Sequence, residues 1–305
     1  MPERPTPPSS SPSPAAPSSP FPSTAGAFPP ESRAAVVTAL RTAGCVFAEE
    51  EAELILAAAR TPGELTALVD RRASGLPLEQ VLGWAEFRGL RVLVEPGVFV
   101  PRRRTEFLVE QAVAQARDAR VVVDLCCGSG AVGAALAAAL GPAELHAADI
   151  DPAAVRCARR NIAPLGGRVH LGDLFEALPA GLRGRVDVLA ANVPYVPTAE
   201  VGLLPSEARD HEPPVALDGG ADGLDVLRRV TAAAPAWLAP GGCLLVETSE
   251  RQAPAALEAF TRAGLTPRLA VSRELYAHVV IGTKARPGPS ETPGSAVRRS
   301  GHPAA

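Results

Sequence analysis

The segment Val121-Val122-Val123-Asp124-Leu125-Cys126-Cys127-Gly128-Ser129-Gly130-Ala131-Val132-Gly133 constrains this chain more than any other. Its opening apolar run reads as a short strand buried on both faces. The glycines then make a tight turn, and 131–140 reads as a helix that Gly141-Pro142 ends. Such a strand needs parallel neighbours, and parallel neighbours need helical crossovers. The chain offers them. Strands fit 145–150, 168–171, 186–190, 243–247, 268–271 and 279–283, and helices begin at Pro152 and cover 224–238 and 253–263. This alternation predicts an α/β domain with a mostly parallel, doubly wound sheet. Ligands of such sheets bind outside the carboxyl ends of the strands.

The flanks read differently. Residues 1–30 are almost wholly Pro, Ser, Thr, Ala and Gly, and they lack the apolar core of a secretory signal. That composition buries too little surface to offset chain entropy, so 1–30 is expected to be a disordered tail, as is 286–305. Residues 31–83 predict a small helical domain. Ala34, Val37, Leu40 and Ala43 recur at helical spacing, as do Ala52, Leu54, Ile55 and Ala58. Thr61-Pro62-Gly63-Glu64 has the form of a capping box, opening a helix that carries Leu65, Leu68 and Val69. Strands over 85–88 and 90–94 flank Gly89 and predict a linking hairpin within 84–100. The α/β domain then occupies 101–285.

Hydrophobic residues make up 47% of the chain and charged residues 21%, enough for a packed core. The net charge of −3 and the aromatic content of 4% argue against a protein that coats nucleic acid. No run approaches the ~20 apolar residues needed to span a bilayer. Cys45, Cys126, Cys127, Cys157 and Cys243 show no paired spacing, so they read as small apolar residues in a reducing cytoplasm. No histidine lies at a zinc-finger interval, and no metal site is expected.

Gly128-Ser129-Gly130-Ala131-Val132-Gly133 has the G-x-G-x-x-G spacing shared by dinucleotide enzymes and methyltransferases. In both, glycine admits a ligand to the backbone and the helix start offers free N–H groups. Asp124 suits a ligand with an amino group and would be an odd neighbour for a pyrophosphate. That favours S-adenosylmethionine, which carries an ammonium and a cationic sulfur. Asp149 ends the second strand about twenty residues on, where a carboxylate can accept both ribose hydroxyls. Asp151 follows the strand and reads as a helix N-cap. Asp173 is positioned to accept an adenine amino group, with Leu174 against the ring; a loop carboxylate facing water is the alternative.

Asn192-Val193-Pro194-Tyr195 follows the fourth strand and resembles the Asn-Pro-Pro-Tyr motif of amino methyltransferases. These act on planar nitrogens, whose lone pair is delocalised and weakly nucleophilic. The Asn192 side-chain oxygen and the Val193 carbonyl would accept the two N–H groups, Pro194 would stiffen the turn, and Tyr195 would lay its ring against the planar amide. The alternative is a structural strand-end turn.

Further segments resemble one family in order: Pro77-Leu78-Glu79-Gln80-Val81-Leu82-Gly83, then Val100-Pro101-Arg102-Arg103-Arg104-Thr105-Glu106 against a Pro-Arg-Pro-x-Thr-Glu signature. Glu212-Pro213, Ala216-Leu217-Asp218-Gly219-Gly220, Gly223-Leu224, Glu247 and Gln252 complete the series. From about residue 33 to 284 the chain resembles the protein glutamine N5-methyltransferases that modify peptide-chain release factors. The resemblance implies a class I methyltransferase, Rossmann-like fold, with the N-terminal helices helping to recognise the release factor. It implies S-adenosylmethionine as cofactor, S-adenosylhomocysteine as product, and the glutamine of a Gly-Gly-Gln loop as target. Cofactor contacts are implied at Cys126, Cys127, Gly128, Ser129, Gly130, Asp149, Leu174 and Asn192. The acceptor would be held by Asn192, Val193, Pro194 and Tyr195, with Asn192, Pro194 and Tyr195 at the reacting centre. A protein partner in the cytoplasm is implied, with neither nucleic acid nor membrane as direct partner. Four positions depart from the pattern: Cys126 for a glycine, Val193 and Arg103 for prolines, and Ser249 for a glycine. These mark a divergent subgroup. Two other readings remain: an amino methyltransferase of RNA or DNA bases, and a non-catalytic cofactor-binding module. Arg102, Arg103 and Arg104 fit a charge-paired, solvated face better than a contact for an acidic surface or RNA, and Glu106 fits either the substrate entry or a helix start.

Overall fold

A computed structural model describes residues 28–286; most of the expected disordered tails, 1–30 and 286–305, lies outside the described residues. The helical periodicity of the N-terminal segment produces α1 (Pro30–Thr42), α2 (Ala48–Ala58) and α3 (Pro62–Ala73). They close around Val36, Val37, Leu40, Ala52 and Ile55. Thr61 caps α3 by accepting the Glu64 N–H at 3.2 Å, as read from the sequence. The reciprocal arm differs: the Glu64 carboxylate takes the N–H of Arg60, one residue before the cap.

A short α4 (Leu78–Leu82) leads into β1 (Trp84–Phe87) and β2 (Leu90–Leu93), an antiparallel pair. Their turn is two residues long, and Arg88 and Gly89 both adopt positive φ, 49° and 72°. Two such residues match the strand twist, which is why glycine sits there. The α/β part then runs α5 (Glu106–Gln115), β3 (Val121–Leu125), α6 (Ala131–Leu140), β4 (Glu144–Asp149), α7 (Pro152–Ile162), β5 (Arg168–Leu171) and β6 (Val186–Ala191). After it come α8 (Ser206–His211), α9 (Pro214–Leu217), α10 (Asp225–Ala233), β7 (Leu238–Thr248), α11 (Ala253–Arg262), β8 (Thr266–Ser272) and β9 (Ala277–Thr283).

The sheet order is β5-β4-β3-β6-β7-β9-β8. The first five strands pair in parallel, and β9 runs antiparallel to both β7 and β8. β3 is buried at every residue, as its composition requires. One face of the sheet packs on α5, α6 and α7 through residues such as Leu108, Leu136 and Ile162. The other packs on α10 and α11 through Leu227, Val230 and Phe260. One expectation fails at 224–238. Pro235 has no N–H to continue the α-helix, so α10 ends at Ala233 and β7 already begins at Leu238. The short helices α8 and α9 carry no clear periodicity and were not legible in the sequence.

Contacts across the expected boundaries of 31–83, 84–100 and 101–285 are specific. Arg72 on α3 is buried, with its guanidinium on Glu51 (2.5 Å), the Leu76 carbonyl (2.9 Å) and Glu207 of α8 (2.7 Å). Gln80 on α4 donates to the Val98 carbonyl at 3.1 Å. Glu212 accepts the Val100 N–H at 3.0 Å and Arg102 at 2.6 Å. The hairpin is tied to α7 by two side chains. Asn161 Oδ1 accepts the Leu93 N–H at 2.9 Å, and its Nδ2 donates to the carbonyls of Leu93 (2.9 Å) and Ser129 (2.8 Å). The Leu93 carbonyl also accepts from Cys157 Sγ at 3.3 Å. Replacing Asn161 leaves the Leu93 N–H and the Ser129 carbonyl without that partner, so Asn161→Ala is expected to lower unfolding stability by about 1–3 kcal/mol, read by chemical denaturation.

Candidate functional site

Parallel register sets the ends of three strands at one level. Leu125 on β3 lies opposite Ala148 on β4 and Ala191 on β6. The residues that follow therefore open onto a common crevice, a cavity of roughly 420 Å³. Asp124, Cys126, Cys127, Gly128, Ser129, Asp149, Asp173, Leu174, Asn192, Val193, Pro194 and Tyr195 all line it. Of the expected site residues, Gly130 does not. It caps α6 with φ 80°, and a Cβ there would meet the Ile162 side chain at 2.8 Å, so this glycine serves helix packing rather than the cavity.

The two carboxylates at the turn are held by backbone N–H groups. Asp124 Oδ2 accepts the Gly133 N–H at 2.8 Å. Asp149 Oδ2 accepts that of Gly128 at 2.8 Å, and its Oδ1 that of Asp151 at 2.9 Å. Asp151 itself caps α7 through the Ala153 N–H, as expected. Burial pushes the Asp124 carboxyl up to about 7 against the pull of the Gly133 N–H, with the Asp149 charge adding to the rise. Burial raises Asp149 as well. Buried Asp124 and half-buried Asp149, both held by backbone N–H groups, present a strong attraction for a positively charged, hydrogen-bonding ligand.

Cys126 adopts φ 53°. That left-handed conformation is the physical reason a glycine suits this position, and a β-carbon here carries about 1–2 kcal/mol of strain. Burial, then the neighbouring Asp149, raises its thiol well above the ordinary range, so it stays a neutral, small side chain. Asp173 is not a free loop carboxylate: Arg229 of α10 pairs with it at 2.6 Å, and both line the cavity.

At the opposite end, Asn192 Nδ2 lies 3.5 Å from the hydroxyl of buried Thr105. This contact sets the amide beside Thr105 at the mouth of the tetrapeptide. Val193 is buried. Tyr195 is fixed at its backbone by Gln252, whose Nε2 donates to the Tyr195 carbonyl (2.8 Å) and the Asp222 carbonyl (2.9 Å). Ser249 Oγ orients Gln252 through its Oε1 at 2.6 Å, which is the use of the serine that departs from the family glycine. Gly219 and Gly223 pack on the same backbone. A Cβ on Gly219 would stand 2.6 Å from the Pro194 oxygen, and one on Gly223 would run into the Tyr195 oxygen. The Tyr195 hydroxyl meets Arg104 and Glu247. The three arginines divide accordingly: Arg102 pairs with Glu212 and Arg104 with Glu247, while exposed Arg103 lines a shallower groove with Tyr276. Glu106 begins α5 as expected, and also accepts the Arg88 N–H at 3.0 Å. Arg229 carried no functional signal in the sequence, and the signature segment gave Thr105 and Arg104 no partner, since each works through a residue distant in the chain.

The donor set fits S-adenosylmethionine: buried carboxylates for an ammonium and a ribose, a glycine turn open to a ligand, and Leu174 and Ile150 as apolar wall. Sheet order and crevice together define a class I methyltransferase. The model of the methyltransferase small domain family matches residues 89–203. A solved methyltransferase from Pyrococcus furiosus shares the fold, with TM-score 0.50 at 18% identity over 65% of this chain and 90% of its own. A release factor glutamine methyltransferase from Geobacter sulfurreducens is 45% identical over 208 residues, covering 67% of this chain and 72% of the relative. A 4-amino-L-phenylalanine/4-methylamino-L-phenylalanine methyltransferase from Streptomyces pristinaespiralis is 39% identical over 193 residues, covering 60% of this chain and 65% of the relative. The chain belongs to the release factor glutamine methyltransferase family.

Two expectations follow from the geometry. A ligand ammonium pairs with Asp124 only when that carboxyl is ionised, and a proton competes below about pH 7. Affinity for S-adenosylmethionine, measured by calorimetric titration, is therefore expected to fall as pH drops through that value, approaching about tenfold per unit below it. Gly223→Ala is expected to displace Tyr195 and to lower turnover by on the order of a hundredfold, with the cofactor still bound.

Proposed function

We propose that this protein transfers a methyl group from S-adenosylmethionine to the side-chain amide nitrogen of a glutamine, in the Gly-Gly-Gln loop of a peptide-chain release factor. One observation carries the reading: a single cavity joins the carboxylate-lined glycine turn to the 192–195 tetrapeptide, whose Asn192 side-chain oxygen is the acceptor offered to an N–H. A carboxamide NH₂ has two such hydrogens. Asn192 Oδ1 accepts one and the Val193 carbonyl the other, so the nitrogen is held in a single orientation. Pro194 limits the freedom of that carbonyl. The Tyr195 ring lies along the plane of the acceptor amide.

In this reading Asp124 receives the ammonium of the cofactor. Asp149 accepts its ribose hydroxyls, and Asp173 and Leu174 bound its adenine, with Cys126, Cys127, Gly128 and Ser129 forming the floor. The cofactor supplies, when bound, a methyl group on a cationic sulfur. The chain's contribution is alignment and exclusion of water. No side chain needs to remove a proton from the amide beforehand; the two acceptors hold the N–H groups until the nitrogen becomes acidic.

The partner is a protein, and the helical segment 31–83 stands beside the acceptor end through the contact of Arg72 with Glu207, which itself lines the cavity. That placement suits a second contact with the substrate protein. No helix among the described residues is long and apolar enough to cross a membrane. We place the reaction in the cytoplasm, where release factors work.

The test is incubation of the full chain with S-adenosylmethionine and purified release factors, followed by peptide mass analysis. One added methyl on the Gly-Gly-Gln peptide, lost in Asn192→Ala, is the expected result. Free 4-aminophenylalanine and nucleic acid serve as competing acceptors; methylation of either in preference to the release factor would overturn the proposal.

A further inference from the structure

Tyr195 lies beyond the end of β6, on irregular backbone, so nothing in the sheet orients its ring. Its carbonyl is clamped by Gln252, but its ring direction depends on the hydroxyl. That hydroxyl has two partners from distant elements. Arg104 Nη2 donates to it at 2.5 Å, and it donates to Glu247 Oε1 at 3.1 Å. Arg104 Nε donates to the same Glu247 oxygen at 3.0 Å, and the guanidinium carbon stands 5.8 Å from the Tyr195 ring centroid. The planar fork of one arginine therefore spans both the phenol and the carboxylate, which a point charge on a flexible stem does not reproduce.

Glu247 makes the arrangement demanding. It is 2% exposed, its Oε2 has no hydrogen-bond partner, and Arg104 is the cation that pairs with it. A buried carboxylate that loses the cation paired with it is strongly destabilised. The phenol would at the same time lose the guanidinium donor that fixes its direction. Arg104 also lines the cavity, so this network forms part of the wall at the acceptor end. In the Pro-Arg-Pro-x-Thr-Glu pattern position 104 is the open one, so the signature itself assigns Arg104 no role.

We propose that Arg104 is a positioning residue for methyl transfer: by spanning the Tyr195 hydroxyl and buried Glu247, it fixes the ring face against which the acceptor amide lies. This rests on the preceding reading of the tetrapeptide. It predicts that Arg104 governs turnover rather than cofactor affinity. It also predicts that Arg104 and the Tyr195 hydroxyl act as one unit.

The test has two arms. The first needs no acceptor. In a Tyr276→Phe background Tyr195 is the single tyrosine, and its ring signals are followed by NMR of ring-labelled protein. Arg104→Met, which keeps the apolar stem, is expected to shift and broaden those signals; an unchanged spectrum overturns the proposal whatever the acceptor is. The second arm measures methylation of the Gly-Gly-Gln peptide. Arg104→Met is expected to lower kcat by on the order of tenfold with the KM for S-adenosylmethionine within about twofold, and Arg104→Lys to recover part of the loss. Tyr195→Phe should cause a similar loss, and the double variant should be no worse than either single one. Losses that multiply, or a kcat for Arg104→Met within about twofold of the unaltered chain, overturn it. Should the unaltered chain fail to methylate the peptide, the functional reading falls, and the NMR arm still decides whether Arg104 holds the tyrosine.

Discussion

The hydrogen-bond register between β3 and its two parallel neighbours is the constraint on which the rest depends. Because Leu125 stands opposite both Ala148 and Ala191, the chain leaves three strands at the same height and on the same edge. Asp124, Asp149 and Asn192 come from segments far apart in sequence, yet a single ladder brings them to one crevice. A slip of one residue along β6 would turn Asn192 to the opposite face. The five-residue, fully buried β3 prevents this, since its four apolar side chains already have places in the two cores and Asp124 faces the crevice.

Two kinds of fixation operate at the two ends of the crevice. At the glycine turn, backbone N–H groups of Gly128 and Gly133 hold the carboxylates, so the acids are oriented by the same turn that leaves room for a ligand. At the acceptor end the backbone is irregular and must be fixed by side chains and close packing. Gln252 clamps the carbonyl of Tyr195, Ser249 orients Gln252, and Gly219 and Gly223 let the 218–223 loop approach without a β-carbon. The departures from the family pattern sit within this logic. Ser249 takes up a hydrogen-bonding task. Cys126 keeps the positive φ that glycine adopts freely, and Val193 remains buried with its carbonyl in the turn.

Much of this was legible in the sequence, for identifiable reasons. β3, β5 and α6 were read within a residue because their signals are local: a β-branched run, short apolar alternation, and an alanine-rich stretch ended by Gly141-Pro142. Asp151 was recognised as a cap because capping depends on neighbours two residues away. Gly130, expected among the cofactor contacts, does not line the cavity; its positive φ and its closeness to Ile162 cannot be seen in a G-x-G-x-x-G string. The partners of Arg229, Thr105 and Arg104 were not legible because they lie 56, 87 and 91 residues away.

The sequence by itself determined the α/β alternation, the carboxylates at the strand ends and the tetrapeptide with its chemistry, because each follows from short-range periodicity or from residue type. Only the tertiary structure decided how these groups are placed: that Asn192 stands beside Thr105, what holds the Tyr195 ring, and that Asp173 is paired. The physical reason is that orientation comes from hydrogen bonds and packing between segments brought together by the sheet, and such contacts leave no mark on either segment read alone.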